Sequence, residues 1–417
     1  MTAPVETASS YRAAEQAARA SYGKLVAILA ARNRDIAAAE DALSDALLAA
    51  LRVWPKTGVP GNPDAWLLTA ARNRQRNDHR AVQVRRFAEP EVARRLELPE
   101  PDEALVDSRL ALMFVAAHPA IDPATRAPLI LQTVLGISAA RIARAFLVDA
   151  QAMSQRLVRA KSRIRDAGLR FGVPEPEDRS ERLEAVLDAI YAAFGQGWDS
   201  LDAPENPDGL TGEAIWLARL LVATMPDEPE PKGLLALMLY CDARRLARRD
   251  AEGRFVPLDR QDARLWNRDH IIEAENLLTA ASQSGRFGRY QCEAAIQSVH
   301  VQRPVTGRLN LTALRTLYDL LVSRSDSLGA RIGRAVVIAE AGAPLEALAE
   351  LDALPADRMQ DHQPWWVARG RIAALAGRRE EASTALRTAV SLTEDEAVRH
   401  YLLAVLDDAN NVFDERG

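Results

Sequence analysis

A chain of 417 residues with 48% hydrophobic content can bury more than one core, so disorder is not its ground state. No stretch reaches eighteen apolar residues without a charge, and the N-terminus has no basic segment followed by an apolar one. This argues against a membrane span or a secretory signal and points to the cytoplasm. The formal net charge of -5 hides a division: residues 1–172 carry 25 Lys and Arg against 18 Asp and Glu, the rest 28 against 40, so the front suits a polyanion and the back suits proteins.

Ala, Leu, Arg and Glu dominate throughout and no run of alternating β-branched residues appears, which predicts an all-α fold. A first helical block runs from about Ala8 to Arg86. Within it Ala39, Leu43, Ala46, Leu47 and Ala50 share one face, and Asp35, Glu40, Asp41 and Asp45 another. A loop with Gly58, Pro60, Gly61 and Pro63 comes next. The helix after it is expected to begin at an Asp64 cap, to turn Trp66, Leu67 and Ala70 inward, and to carry Asn73, Arg74, Arg76 and Asn77 near its end. Arg72, Arg74, Arg76, Arg80, Arg85 and Arg86 form one basic cluster. Residues 88–107, with Pro90, Pro99 and Pro101, read as a linker.

Residues 126–165 read as two short amphipathic helices, a tight break at Leu147-Val148-Asp149, and a third helix crowded with arginine. Ile137, Ile142, Ala143 and Phe146 gather on one face before the break, and Asp149 is placed to cap the arginine-rich helix. Met153, Leu157, Ala160 and Ile164 recur every three or four residues and predict a buried stripe. Gln151, Ser154, Gln155 and Arg159 then face outward, with Arg156 and Arg163 on the flanks. Gln, Ser and Arg at the start of such a helix can bond base edges in a major groove, and cations further along suit phosphates. An arginine-rich solvated helix of an ordinary bundle is the competing reading.

Residues 173–178 mark a second boundary, and about ten helices are expected from Arg179 onward. Near the end, Ala341–Leu354 echoes Ala376–Ala389 at an offset of 35, with Gly342, Ala347 and Leu351 matching Gly377, Ala382 and Leu386. The offset is close to the tetratricopeptide period. Trp366, Gly370, Ala382, Leu386 and Ala389 fall where that repeat sets its large and small residues, and a generic helical hairpin is the alternative.

No enzymatic motif is present: there is no phosphate-binding glycine loop, no nucleophile elbow and no dinucleotide fingerprint. His79, His118, His270, His300, His362 and His400 are scattered. Cys241 and Cys292 lie far apart, without metal-ligand spacing, as expected of small buried residues in a reducing compartment. Neither a cofactor nor a metal is expected.

The two front blocks, in this order and separation, resemble the extracytoplasmic-function group of bacterial RNA polymerase sigma factors. AEDALSDALLAALRVWP and WLLTAARNR are similar to that family's second region, and IARAF followed by QRLVRAKSRIR to its fourth. ERLEAVLDAIYAAF, EAIWLARLL, GLLALMLYCDARRLAR and DRQDARLW resemble the long helical extension of a subgroup that ends in tetratricopeptide-like repeats. The resemblance implies a region-two domain over 8–87, a linker over 88–107, a region-four helix-turn-helix domain over 108–172 and an extension over 179–417. Its implied partners are core RNA polymerase, through Glu40, Asp41 and Asp45, and promoter DNA.

At the minus-ten element the resemblance implicates Trp66, Asn73, Arg74, Arg76, Asn77 and Arg80, with the Trp54–Asp64 loop holding a flipped base. At minus thirty-five it implicates Gln151, Ser154, Gln155 and Arg159 on bases, and Arg156, Lys161 and Arg163 on phosphates. Asn77 stands where the family has Asp, and Arg76 where it has a hydrophobic residue. Phe194-Gly195-Gln196-Gly197-Trp198 also departs from the extension's pattern. The Arg76 and Asn77 departures keep open a sigma-like module that sequesters partners without initiating, and the last departure leaves any role for that turn open. The acidic extension is expected to regulate in cis, by packing on the two DNA-binding modules or by recruiting a regulatory protein.

Overall fold

The structure is a computed structural model that describes residues 21–32, 34–84, 103–146, 148–172, 174, 176–199, 210–325 and 327–414. Side-chain surroundings within these are described except at 77–84, 103–107, 144–145, 176–180, 196–199, 210 and 408–414. The described residues are helical throughout, with one isolated bridge between Arg249 and Phe255 in place of any strand. Among them, no helix is long and apolar enough to cross a membrane. The all-α expectation holds, and the chain forms two compact units, Met1–Leu221 and Val222–Gly417.

The first unit begins with α1 (residues 21–32) and α2 (Ile36–Thr57). α2 starts where the Asp35 carboxylate accepts from the Ala38 N–H at 3.0 Å. Its buried residues Ile36, Ala39, Leu43, Ala46, Ala50 and Trp54 repeat at helical spacing. The helix runs on past Trp54 to Thr57, so the connecting loop is shorter than the sequence suggests and spans only 58–62.

α3 (Pro63–Val84) is capped by Asn62, whose side-chain oxygen accepts from the Ala65 N–H at 3.0 Å. This corrects the expectation for Asp64. Pro63 has its φ preset for the first helical position, which moves the cap back by one residue, and Asp64 instead pairs with Lys24 at 3.2 Å. α2 and α3 are joined through Leu67 and Ala71, both fully buried, and through an edge-on contact of the Trp54 and Trp66 rings at 5.5 Å.

The second half of the unit is built on α4 (Glu103–Ala116) and α5 (Pro123–Leu135). Leu110 to Ala117 are buried without interruption, so α4 is covered on every side rather than along one stripe. Part of that cover comes from α8 (Pro176–Asp199), which lies against α5 and α4 and buries Leu183, Val186, Leu187 and Ile190. Arg126 on α5 is 8% exposed and reaches Glu181 at 2.8 Å, and Arg109 on α4 is 7% exposed and reaches Glu213 at 3.0 Å. Glu213 lies on α9 (Leu210–Thr224), whose Trp216 ring stacks 4.7 Å from the same guanidinium. α6 (Ala139–Ala145) and α7 (Ala150–Asp166) complete this half.

In the second unit α10 (Pro229–Ala243) is buried almost all round, from Leu234 to Tyr240. It lies between α11 (Arg268–Ser282) and α12 (Arg289–Thr306). From there α13 (Leu311–Arg324), α14 (Leu328–Glu340), α15 (Pro344–Asp352), α17 (Gln363–Leu375), α18 (Arg379–Ser391) and α19 (Glu396–Asp414) pack each on the one before, with the single turn α16 (Ala356–Met359) lying between α15 and α17 in the chain. The sequence echo falls on two such pairs, α14 with α15 and α17 with α18. Gly342 and Gly377, with φ of 97° and 73°, take the left-handed turns between partners. Ala347, Leu351, Ala382, Leu386 and Ala389 are all buried. Trp365, rather than Trp366, goes into the core, with its neighbour's ring edge-on at 4.7 Å.

One carboxylate ties this unit's first helices together. The Gly288 cap of α12 offers no side chain, and Glu230 from α10 accepts instead from the N–H groups of Tyr290 at 2.9 Å and Gln291 at 3.3 Å, and from Gln291 Nε2 at 3.0 Å. Hydrogen bonds to a charged group contribute about 1.5–3 kcal/mol each. Glu230→Ala is therefore expected to destabilise this unit by about 3 kcal/mol, a fall of roughly 6–12 °C in a thermal melt. Glu230→Gln, which keeps an acceptor, should fall by less than half as much.

Candidate nucleic-acid and polymerase interface

α7 is set by its own ends and stripe. Asp149 caps it, accepting from the Ala152 N–H at 2.9 Å. Met153, Leu157, Ala160 and Ile164 are buried toward α5 and α6. α6 ends at Ala145, and the Val148 N–H returns to the Ala143 carbonyl across the break. Ile137, Ile142 and Ala143 are buried beneath it, while Leu147 lies outside the described residues.

Gln151, Ser154, Gln155, Arg156, Arg159 and Arg163 are all exposed on the opposite face. Arg156, Arg159 and Arg163 also border an open depression of about 490 Å³ against Ile121, Asp122 and Thr125 at the start of α5. A helix face with amides and hydroxyls at one end and guanidiniums along it can bond both base edges and phosphate oxygens.

Lys161 does not stand with those cations. It is 9% exposed and its ammonium meets the Glu40 carboxylate on α2 at 2.5 Å. Glu40, grouped by the sequence with Asp41 and Asp45, is itself only 16% exposed, whereas those two are open to solvent. Burial pushes the Glu40 carboxyl above its ordinary range, and the Lys161 charge pulls it back. Burial also raises the Tyr22 phenol, which faces the same carboxylate. Arg165, one helical turn on, approaches Asp35 at 3.9 Å.

The α3 residues divide similarly. Asn73, Arg74 and Arg76 are exposed, Trp66 is half-buried against Trp54, and Arg74 pairs with Asp45 at 2.8 Å. The side chains of Asn77 and Arg80 lie outside the described residues. Among the described residues, no cluster of three or more His, Cys, Asp or Glu is placed to hold a metal ion.

Sequence reasoning missed the contacts that join these helices. Lys161 and Glu40 are 121 positions apart, and neither residue type nor periodicity marks a partner at that distance. It also missed Gly23 on α1, which nothing in the neighbouring residues marks and where a Cβ would sit 1.7 Å from the Val134 carbonyl oxygen on α5.

Residues 18–85 match the sigma-70 region 2 family, and residues 182–282 match a family of unknown function, DUF6596. The chain thus carries a sigma-70-type front domain, and region 2 implies an interaction with core RNA polymerase. The uncharacterized protein R00370 of Rhizobium meliloti (strain 1021) is 36% identical over 386 residues, which is 90% of each chain. The chain belongs to the family of that protein. No solved structure matches it.

Proposed function

We propose that this protein is an extracytoplasmic-function-type sigma factor that carries core RNA polymerase to specific promoters, with its tetratricopeptide-like extension regulating it in cis. The observation that carries the reading is the pairing of a region-2 match over 18–85 with a capped α7 whose outward face is Gln151, Ser154, Gln155 and Arg159. Asp41 and Asp45, the exposed acids of α2, dock on the polymerase, while Glu40 is held by Lys161. Trp66, Asn73, Arg74 and Arg76, with Asn77 and Arg80 beyond them, engage the minus-ten strand, and the α6–α7 pair reads minus thirty-five as a helix-turn-helix. Strand opening needs no catalytic side chain, because binding energy for the melted strand drives it.

Run-off transcription tests this directly. Purified chain plus core polymerase should yield discrete transcripts from the DNA that the complex retains, and core alone should not. Tight binding of core without any transcript would leave a sequestering module instead. Arg156→Ala and Arg163→Ala should each weaken DNA binding evenly across sequences and lower the salt slope by about 1.

A further inference from the structure

Between α10 and α11, residues 244–267 form a long connection whose regular structure is three single turns of 3-10 helix, Arg245–Arg248, Leu258–Arg260 and Ala263–Leu265. A compact domain seldom keeps so long an irregular segment unless it serves binding. This one is firmly seated. The Val256 N–H returns to the Arg248 carbonyl and the Asn267 N–H to the Ala243 carbonyl, both at 2.9 Å. Trp266 is buried within it. Arg249 reaches Asp395, just before α19, at 2.6 Å, and the Phe255 ring meets the Tyr401 ring of that helix edge-on at 5.4 Å.

The outer surface of this connection has two properties at once. Its first and third turns lie against each other and present Leu246, 75% exposed, and Leu265, 49% exposed. A single exposed leucine needs no explanation, but two on adjoining turns of an anchored loop form a small apolar patch. The charge around them is opposite to that of their surroundings. Residues 244–268 carry eight Arg against four Asp and Glu, whereas the rest of that unit, 222–243 and 269–417, carries 17 Lys and Arg against 25 Asp and Glu. Arg260, Arg264 and Arg268 are exposed on the second turn, the third turn and the first position of α11. Duplex DNA would accept such cations but has no use for leucine. Arg264 moreover already shares its charge with Asp262 through two nitrogens, at 3.0 and 2.7 Å. A protein surface with carboxylates on either side of an apolar stripe matches both properties.

We propose that the 244–268 connection is a docking platform for an acidic amphipathic helix of a partner protein. Leu246 and Leu265 receive its apolar stripe, and Arg260, Arg264 and Arg268 its flanking carboxylates. α19 holds the platform in shape through Asp395 and Tyr401, so the end of the chain supports a surface formed near the start of its unit. The platform needs nothing from the sigma-factor reading, which the run-off assay tests separately.

The probe is a labelled synthetic peptide about five helical turns long, with Leu along one stripe and Glu on both flanks, titrated with the full chain in fluorescence anisotropy. It should bind saturably and more weakly as salt rises. Leu246→Ser with Leu265→Ser should weaken binding at least about tenfold, and Arg260→Glu with Arg268→Glu should weaken it as much and flatten the salt dependence. Both pairs should keep the parent melting temperature, because these side chains are exposed. Phe255→Ala, which loosens the connection from α19, should weaken binding several-fold without touching a contact residue. The same peptide with Lys for Glu should not compete. Absence of saturable binding would overturn the proposal, as would binding that survives both variant pairs. Duplex DNA binding that depends on the arginine pair, with no peptide binding, would give the surface to nucleic acid and overturn it as well. Self-association in sedimentation that the leucine pair abolishes would make the face a contact between copies, and likewise overturn the proposal.

Discussion

A chain cut after Gly172 is expected to lose the fold of its α4–α7 half, not merely a regulatory tail. The cut removes α8, whose Leu183, Val186, Leu187, Ile190 and Phe194 are buried, and uncovers the continuous apolar surface of α4 from Leu110 to Ala117. Burying a large apolar side chain contributes about 1.5–3 kcal/mol, so five of them amount to on the order of 10 kcal/mol. That figure is an upper estimate, yet it matches the whole stability of a typical domain. Arg126 loses Glu181 and Arg109 loses Glu213 in the same cut.

Residues 1–172 should therefore show a lost or broad melting transition, dye binding to exposed apolar surface, and rapid hydrogen exchange over residues 110–134. A cut after Asp227, just beyond the first compact unit, should keep the cooperative transition. A sharp melt for 1–172 equal to that of the longer fragment would show that α8 is dispensable. Loss of transcription on cutting at Gly172 is thus expected from unfolding alone, and regulation by the extension is read from cuts beyond Asp227.

Replacing Gln151 and Gln155 together by Ala should reduce binding to the preferred minus-thirty-five sequence on the order of a thousandfold. Each bidentate amide–base contact is worth about 1–3 kcal/mol of discrimination, so the pair is worth about 4 kcal/mol. Both side chains are exposed and have no part in the buried stripe, so the melting temperature should stay within a degree or two of the parent. Binding to unrelated DNA should also persist, because Arg156, Arg159 and Arg163 still face the phosphates. Competition binding against scrambled duplexes measures this. An equal loss on specific and unrelated DNA would mean that α7 grips the backbone and reads no bases.

Much of the local structure was legible from residue order. Asp149 as a cap, the Met153–Leu157–Ala160–Ile164 stripe and the outward Gln151, Ser154, Gln155 and Arg159 all arise from helical periodicity and capping chemistry, which act within one or two turns. The echo between residues 341–354 and 376–389 likewise located two helix pairs, since neighbouring helices must repeat their small and large residues to stack. Asp64 was misjudged as a cap because Asn62 and Asp64 flank a proline and both are good caps. Only the φ of Pro63 and the nearby Lys24 distinguish them.

The order of residues by itself determined that the chain is all-helical, where its helices bury their faces, and that a basic front precedes an acidic back. Those properties depend on side-chain type and spacing over a few residues. Tertiary structure alone decided that Lys161 is not a free cation, that Glu40 is not a free acid, and that α8 belongs with α4 and α5. It also decided that α1 crosses α5 at Gly23. Each is a contact between residues dozens of positions apart or more, and burial, which turns an exposed charge into a paired one, depends on what the fold brings alongside it.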